Sequence, residues 1–151
     1  MRPSVSHESD RVPPNDAAPA LTAVAAAARW PRGVTPTAEY EAALAYLGEP
    51  GGHLFVTGRA GSGKSTLLRC IRDLMPEDMV VLAPTGLAAV NVGGQTIHSF
   101  FGLPPRLIKP DDIRRSRNGQ VMRRLKYLVI DEVSMVRSDL IWAIDFSLRV
   151  N

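Results

Sequence analysis

Residues 58–66 read GRAGSGKST, a glycine-rich run that ends in a lysine and two hydroxyls and fits the spacing GxxxxGK[ST]. Each residue type has a use if the partner is a chain of phosphates. Gly58, Gly61 and Gly63 let the backbone turn its N–H groups inward, where a side chain would block an anion. Lys64 then reaches the β and γ phosphates, and Ser65 offers its hydroxyl to Mg²⁺. The positive end of a helix starting here adds to the field. The run predicts a nucleoside triphosphate cradle built from Gly58, Arg59, Ala60, Gly61, Ser62, Gly63, Lys64, Ser65 and Thr66. A chance glycine turn is the competing explanation; at average residue usage it arises in on the order of one chain in a hundred of this length.

A second candidate lies in YLVIDEVSM, residues 127–135. Asp131 and Glu132 follow an apolar run, which puts them at the carboxyl edge of a sheet, where open α/β folds bind ligands. There Asp131 is expected to hold Mg²⁺, usually through water, and Glu132 to orient and deprotonate an attacking water. Lys64 and Glu132 are thus the catalytic candidates, with Ser65 and Asp131 as metal ligands. The plain alternative is a pair of acids capping a helix that begins near Ser134. Together with the upstream cradle, a strand ending in Asp-Glu favours an ATP hydrolase that drives motion over a kinase.

These residues need elements to hold them. Tyr40, Ala43, Leu44 and Leu47 recur at helical spacing from Thr37, and Gly48 and Pro50 end the pattern. Residues 53–57 (HLFVT), 79–83 (MVVLA) and 126–130 (KYLVI) are nearly continuous apolar runs, as parallel strands covered on both faces tend to be. Between the first two, Leu67, Leu68, Ile71, Leu74 and Met75 form one helical face until Pro76. A βαβ unit and an α/β class follow.

The 151 residues suffice for one ordinary domain, with 45% hydrophobic content to fill its core. The apolar runs are far shorter than the roughly 20 residues of a spanning helix, so nothing here is expected to cross a membrane, and no membrane partner is expected. A single cysteine, Cys70, excludes an intrachain disulfide and fits a reducing cytoplasm. Half of the twelve prolines fall in residues 1–36, which read as a disordered leader ahead of an ATPase portion over 37–151. Net charge is only +3, but residues 104–126 hold eight basic side chains against two acids. Such a block can meet nucleic-acid phosphates, although a charge run is more often a solvated face.

GRAGSGKST, APTGLAAVNVGGQTIHSFFGLP (83–104) and LVIDEVSMVRSDL (128–140) together resemble the first half of the Pif-one-like, RecD-related DNA helicases of superfamily one. The outer two pieces are shared with many ATPases; the middle piece at this spacing makes the resemblance specific. It implies a P-loop NTPase with a RecA-like parallel sheet, ATP and Mg²⁺ as cofactors, and 5′→3′ movement on single-stranded DNA. Roles in repair, recombination and telomere maintenance come with the family. In such helicases the segment after the second strand lies along single-stranded DNA.

The residues of that segment suit this job. Thr85 and Gly86 can present a hydroxyl and a backbone N–H to a phosphate, and the small Gly86, Ala88 and Ala89 allow close approach. Thr96, His98 and Ser99 can contact further phosphates, and Phe100 or Phe101 can support a base stack. Core burial of the two phenylalanines and a structural role for His98 are the alternatives.

Two departures from the family pattern stand out. Tyr40 falls where a glutamine often reads the adenine edge. The sequence also stops at AIDFSLRVN, before the family's Gly-Asp and Gln motifs and its second RecA-like domain. In RecA-like sheets, the resemblance implies, the next strand inserts between the phosphate-loop strand and the Asp-Glu strand. Strands 53–57 and 126–130 are then expected two spacings apart, roughly 10 Å. The chain is therefore expected to be a truncated helicase ATPase portion, inactive alone, with a nucleotide-binding interaction partner as the second possibility.

Overall fold

Strands β1 (Met79–Ala83), β2 (Gln95–Thr96) and β3 (Tyr127–Ile130) form a parallel sheet in the order β2-β1-β3, which places the most apolar strand in the middle. The computed structural model describes residues 30, 33–47, 52–74 and 79–151. Most of the expected leader, together with Gly48, Pro50, Met75 and Pro76, lies outside the described residues. Residues up to Thr57 and residues from Gly58 onward form two compact units.

In the first unit, α1 (Ala38–Leu47) matches the expected helix to within a residue. The Thr37 hydroxyl accepts from Tyr40 N–H at 3.4 Å at its start, and Ala43 and Leu44 are its buried positions. Tyr40 stacks on Trp30 with ring centroids 6.1 Å apart. Residues 53–57 differ from expectation. They carry no regular secondary structure, and all five are exposed, Phe55 to 72%. A strand exists only through its ladder to a neighbour, and an apolar pattern carries no information on whether that neighbour is present.

The second unit contains the sheet. Val81, Leu82 and Ala83 of β1 are buried between two parallel neighbours. Val80 pairs with Leu128 and Leu82 with Ile130 on one side, and Leu82 with Gln95 and Ala83 with Thr96 on the other. The helices are α2 (Lys64–Leu74), α3 (Gly86–Asn91), α4 (Ile97–Phe101), α5 (Gly119–Arg124) and α6 (Ser138–Val150). Leu67, Cys70 and Ile71 give α2 its buried face, much as the periodicity predicts. The core joins Leu82 to Ile97, Phe100 and Phe101 of α4, Met122 of α5, and Leu140, Ala143 and Ile144 of α6. No helix among the described residues is long and apolar enough to cross a membrane.

Paired charges hold the loop before α5 against the start of α6. Asp139 accepts from Ile108 N–H at 3.0 Å and from Arg137 at 2.8 and 2.5 Å, and Arg137 also donates to the Arg106 carbonyl at 3.2 Å. Arg106 in turn grips Asp112 through both carboxylate oxygens, at 2.7 and 2.5 Å. The Arg137 hydrogen bond, followed by the Ile108 N–H, holds the Asp139 carboxyl well below the usual carboxylate range. Arg106 lowers Asp112 in the same way.

Candidate nucleotide site and sheet edge

The glycine-rich run forms a tight turn that feeds into α2. Ser62 N–H donates to the Arg59 carbonyl at 3.2 Å, and Leu67 N–H to the Gly63 carbonyl at 2.8 Å. Gly61 and Gly63 have φ of +77° and +91°, the left-handed region that side chains resist. At Gly58 an added Cβ would stand 2.6 Å from Ser62 Oγ, a contact that rotation of the serine side chain relieves. The Lys64 ammonium folds back to donate to the carbonyls of Gly58 at 2.7 Å and Arg59 at 2.9 Å. No carboxylate among the described residues pairs with it, so its charge is available to an anion at the loop. Residues 58–66 are exposed or half-buried throughout.

In a parallel sheet all carboxyl ends lie at one edge, and three candidate groups follow those ends here. Thr85 comes two residues after β1, Thr96 closes β2, and Asp131 and Glu132 follow β3. Asp131 N–H donates to the Leu82 carbonyl at 2.9 Å, which extends the β1–β3 ladder by one rung and fixes the half-buried Asp131 at the edge. Glu132 departs from ordinary backbone geometry, with φ 52° and ψ 42°, the sole described residue other than glycine at positive φ. That conformation costs on the order of 1 kcal/mol, and such strain clusters at functional sites. The sequence offered no signal for it. Glu132 precedes a 3-10 turn at Val133–Met135 but makes no side-chain cap bond to it, so the capping alternative does not account for this exposed carboxylate.

The segment 85–101 folds as α3, β2 and α4, and its hydroxyls serve as helix caps. Thr85 Oγ1 accepts from Ala88 N–H at 3.3 Å, and Thr96 Oγ1 from Ser99 N–H at 3.2 Å. A hydroxyl that accepts a cap bond still has its proton to donate. Gly86 and Ser99 are exposed and His98 is half-buried. Ala89 is buried, so of the three small residues expected to admit a strand it is unavailable, while Ala88 is half-buried. Phe100 and Phe101 are 2% and 3% exposed and meet edge to face at 5.0 Å. They fill the core, and neither can serve as a stacking platform.

Two contacts in this region escaped sequence reasoning. Arg72, in the last turn of α2, donates to the Val92 carbonyl at 2.6 Å and so ties the helix after the phosphate loop to the end of α3. Gly94 lies so close to β1 that a Cβ would fall 2.3 Å from the Val81 carbonyl oxygen. Both link parts of the chain far apart in sequence, which periodicity does not register.

Comparison with known proteins gives these motifs a common context. A family model described as PIF1-like helicase matches residues 39–150. An ATP-dependent DNA helicase Pif1 from Bdellovibrio bacteriovorus is 47% identical over 92 residues, 57% of this chain and 21% of that protein. Pif1 from Bacteroides sp in complex with ADP-AlF4 superposes with a TM-score of 0.71 at 38% identity, covering 78% of this chain and 28% of the other. Bacteroides Pif1 bound to ssDNA gives 0.68 at 38% identity with the same coverage. The chain spans about a fifth of the length of the Bdellovibrio relative.

Proposed function

The chain belongs to the PIF1-like helicase family and has its P-loop, RecA-like fold, and from that premise we propose that it is the ATP-binding portion of an ATP-dependent 5′→3′ DNA helicase that tracks single-stranded DNA. Residues 58–66 hold the triphosphate, with the Lys64 ammonium exchanging its loop carbonyls for β and γ phosphate oxygens. Glu132 takes the proton of the attacking water as its oxygen bonds to the γ-phosphorus and the bond to ADP breaks. Thr85, Gly86, Thr96, His98 and Ser99 contact the phosphates of the strand.

The residues present also fit Mg²⁺. Ser65 is exposed at the first turn of α2, and Asp131 is fixed at the sheet edge. The described residues contain no cluster of three or more His, Cys, Asp or Glu able to hold a metal. Mg²⁺ suits such a sparse donor set, because it keeps several waters and takes phosphate oxygens as ligands. When bound it would neutralise charge between the β and γ phosphates.

The observation that supports this reading most directly is the gathering of Thr85, Thr96, Asp131 and Glu132 at one sheet edge in a chain that also carries the phosphate loop. Titration with a fluorescent ATP analogue tests it. Lys64→Ala removes a charge-assisted contact of roughly 1.5–3 kcal/mol and is expected to weaken binding about tenfold or more. Equal affinity in the variant would refute the assignment of the loop.

A further inference from the structure

The basic block of residues 104–126 is not uniform in the folded chain. Arg106 is committed to Asp112, and Arg123 donates to the Asn151 carbonyl at 2.6 Å. Arg114, Arg115 and Arg117 are exposed, and among the described residues none forms an ion pair or side-chain hydrogen bond with them. The loop that carries them, residues 113–118 (IRRSRN), contains no acid. Three guanidinium groups within four residues, without an ion-pair partner among the described residues although Arg114 lines the same cleft as Asp111 and Asp112, repel one another, and a polyanion relieves that repulsion.

The backbone beneath these arginines is fixed by the residues between and after them. Ser116 Oγ donates to the Phe100 carbonyl at 3.4 Å, and Asn118 Nδ2 donates to the same oxygen at 2.7 Å. Ser116 N–H donates to Asn151 Oδ1 at 2.7 Å, and Asn118 N–H to Ser116 Oγ at 3.1 Å. Buried Met122 seats the following helix, α5, in the core. Inward anchors thus alternate with outward arginines. Both side-chain anchors end on Phe100 in α4, the short helix that contains His98 and Ser99.

We propose that residues 113–118 form a second contact for the phosphodiester backbone of nucleic acid, made by Arg114, Arg115 and Arg117 and separate from residues 85–99. It rests on the nucleic-acid part of the proposed function and extends it to a surface outside the signature segment. The guanidinium fork matches phosphate oxygens bidentately, and a pre-anchored loop loses little backbone freedom on binding.

The test is a salt titration of binding to a fluorescent single strand and to a blunt duplex of the same length. The subjects are the wild-type chain, a triple variant (Arg114→Gln, Arg115→Gln, Arg117→Gln) and the corresponding triple lysine variant. The slope of log K against log salt is expected to fall by about 2 on the single strand, or about 2.7 on the duplex, from roughly 0.7 or 0.9 per lost phosphate contact. The lysine variant is expected to keep the wild-type slope, and the arm whose loss reaches its own expected value identifies which form of nucleic acid the loop meets. Unchanged thermal midpoints verify folding, and Arg149→Gln, on the exposed Arg149–Asp145 pair, serves as a control that leaves the slope intact. Equal slopes and affinities for wild type and the glutamine variant on both probes would overturn the proposal, as would a loss seen only with anionic lipid vesicles. A wild-type chain that binds neither oligonucleotide overturns this inference and the nucleic-acid part of the proposed function together. A failed Lys64→Ala test with loop-dependent DNA binding intact overturns only the nucleotide assignment.

Discussion

One chemical change at two glycines of the signature segment separates the folding role from the binding role. At Gly94 an added Cβ would lie 2.3 Å from the carbonyl oxygen of Val81 and 3.0 Å from its carbonyl carbon, both backbone atoms of the central strand. Neither atom can turn aside as a side-chain tip would. The β1–β2 pairing, Leu82 with Gln95 and Ala83 with Thr96, must shift to relieve the contact. Overpacking of this kind costs about 2 kcal/mol, or roughly 10 °C in the thermal midpoint of a domain this size. At Gly86 an added Cβ meets nothing within 4 Å, and the residue is the first of α3. Gly86→Ala is expected to stabilise by about 0.5–1 kcal/mol, since the unfolded chain has less freedom to lose. On the proposed function it should nevertheless weaken binding of a fluorescent single strand, because the reading of Gly86 as a close-approach position puts the methyl group in the way of the phosphate backbone. Thermal unfolding and anisotropy titration on both variants decide the matter. A Gly94→Ala chain as stable as wild type would refute the packing argument, and a Gly86→Ala chain with full single-strand affinity would refute the close-approach argument.

Other expectations follow from single contacts. Glu132→Gly releases the left-handed strain and is expected to raise stability by up to about 1 kcal/mol in urea titration; a loss of stability would contradict the strain account. Arg72→Ala is expected to cost about 1 kcal/mol and to speed amide exchange at residues 90–94, with Arg72→Lys restoring most of both; unchanged exchange would show that the bond to Val92 holds nothing. Asp139 has its pKa depressed in the folded state, so its contribution is fully present above the unfolded carboxylate value of about 3.9 and is lost as pH falls through the lower folded value. Acid unfolding followed between about pH 5 and 1.5 should therefore be shallower in Asp139→Asn, and identical profiles would exclude the Arg137–Asp139–Ile108 tie as the cause.

The sequence was most informative where local chemistry and tertiary structure make the same demand. Residues 79–83 read as a buried parallel strand and form one with the expected bounds, because near-continuous apolar composition is what a strand with two parallel neighbours requires. The phosphate loop was legible from its glycines, two of which, Gly61 and Gly63, sit at positive φ. Residues 53–57 have the same apolar composition but no strand, since pairing depends on a partner that their own composition does not specify. Glu132 looked like an ordinary acid at a strand end; its left-handed backbone arises from the turn after β3 and leaves no mark on residue type. The basic block read as a single patch because charge counting ignores pairing, and only the fold separates the committed Arg106 from Arg114, Arg115 and Arg117, which have no ion-pair partner among the described residues.

Much of the signature segment proves to be used by the fold itself, and that changes what its pattern can be taken to mean. Thr85 and Thr96 cap α3 and α4, Gly94 admits the chain against β1, and Ala89, Phe100 and Phe101 fill the core. A residue type demanded twice, once by the fold and once by a ligand, tells the reader of a sequence nothing about which demand placed it there. Substitution by alanine has the same weakness, for it removes the cap and the phosphate donor together. A replacement that preserves the cap breaks the tie. Asp at position 85 or 96 caps as well as threonine does but brings a negative charge where a hydroxyl proton would meet a phosphate. Thr85→Asp and Thr96→Asp should therefore leave the helices in place and repel a nucleic-acid strand, while Asn at the same sites keeps both the cap and a donor. The separation of those two outcomes, at constant stability, is what would assign the sheet edge to ligand rather than to fold.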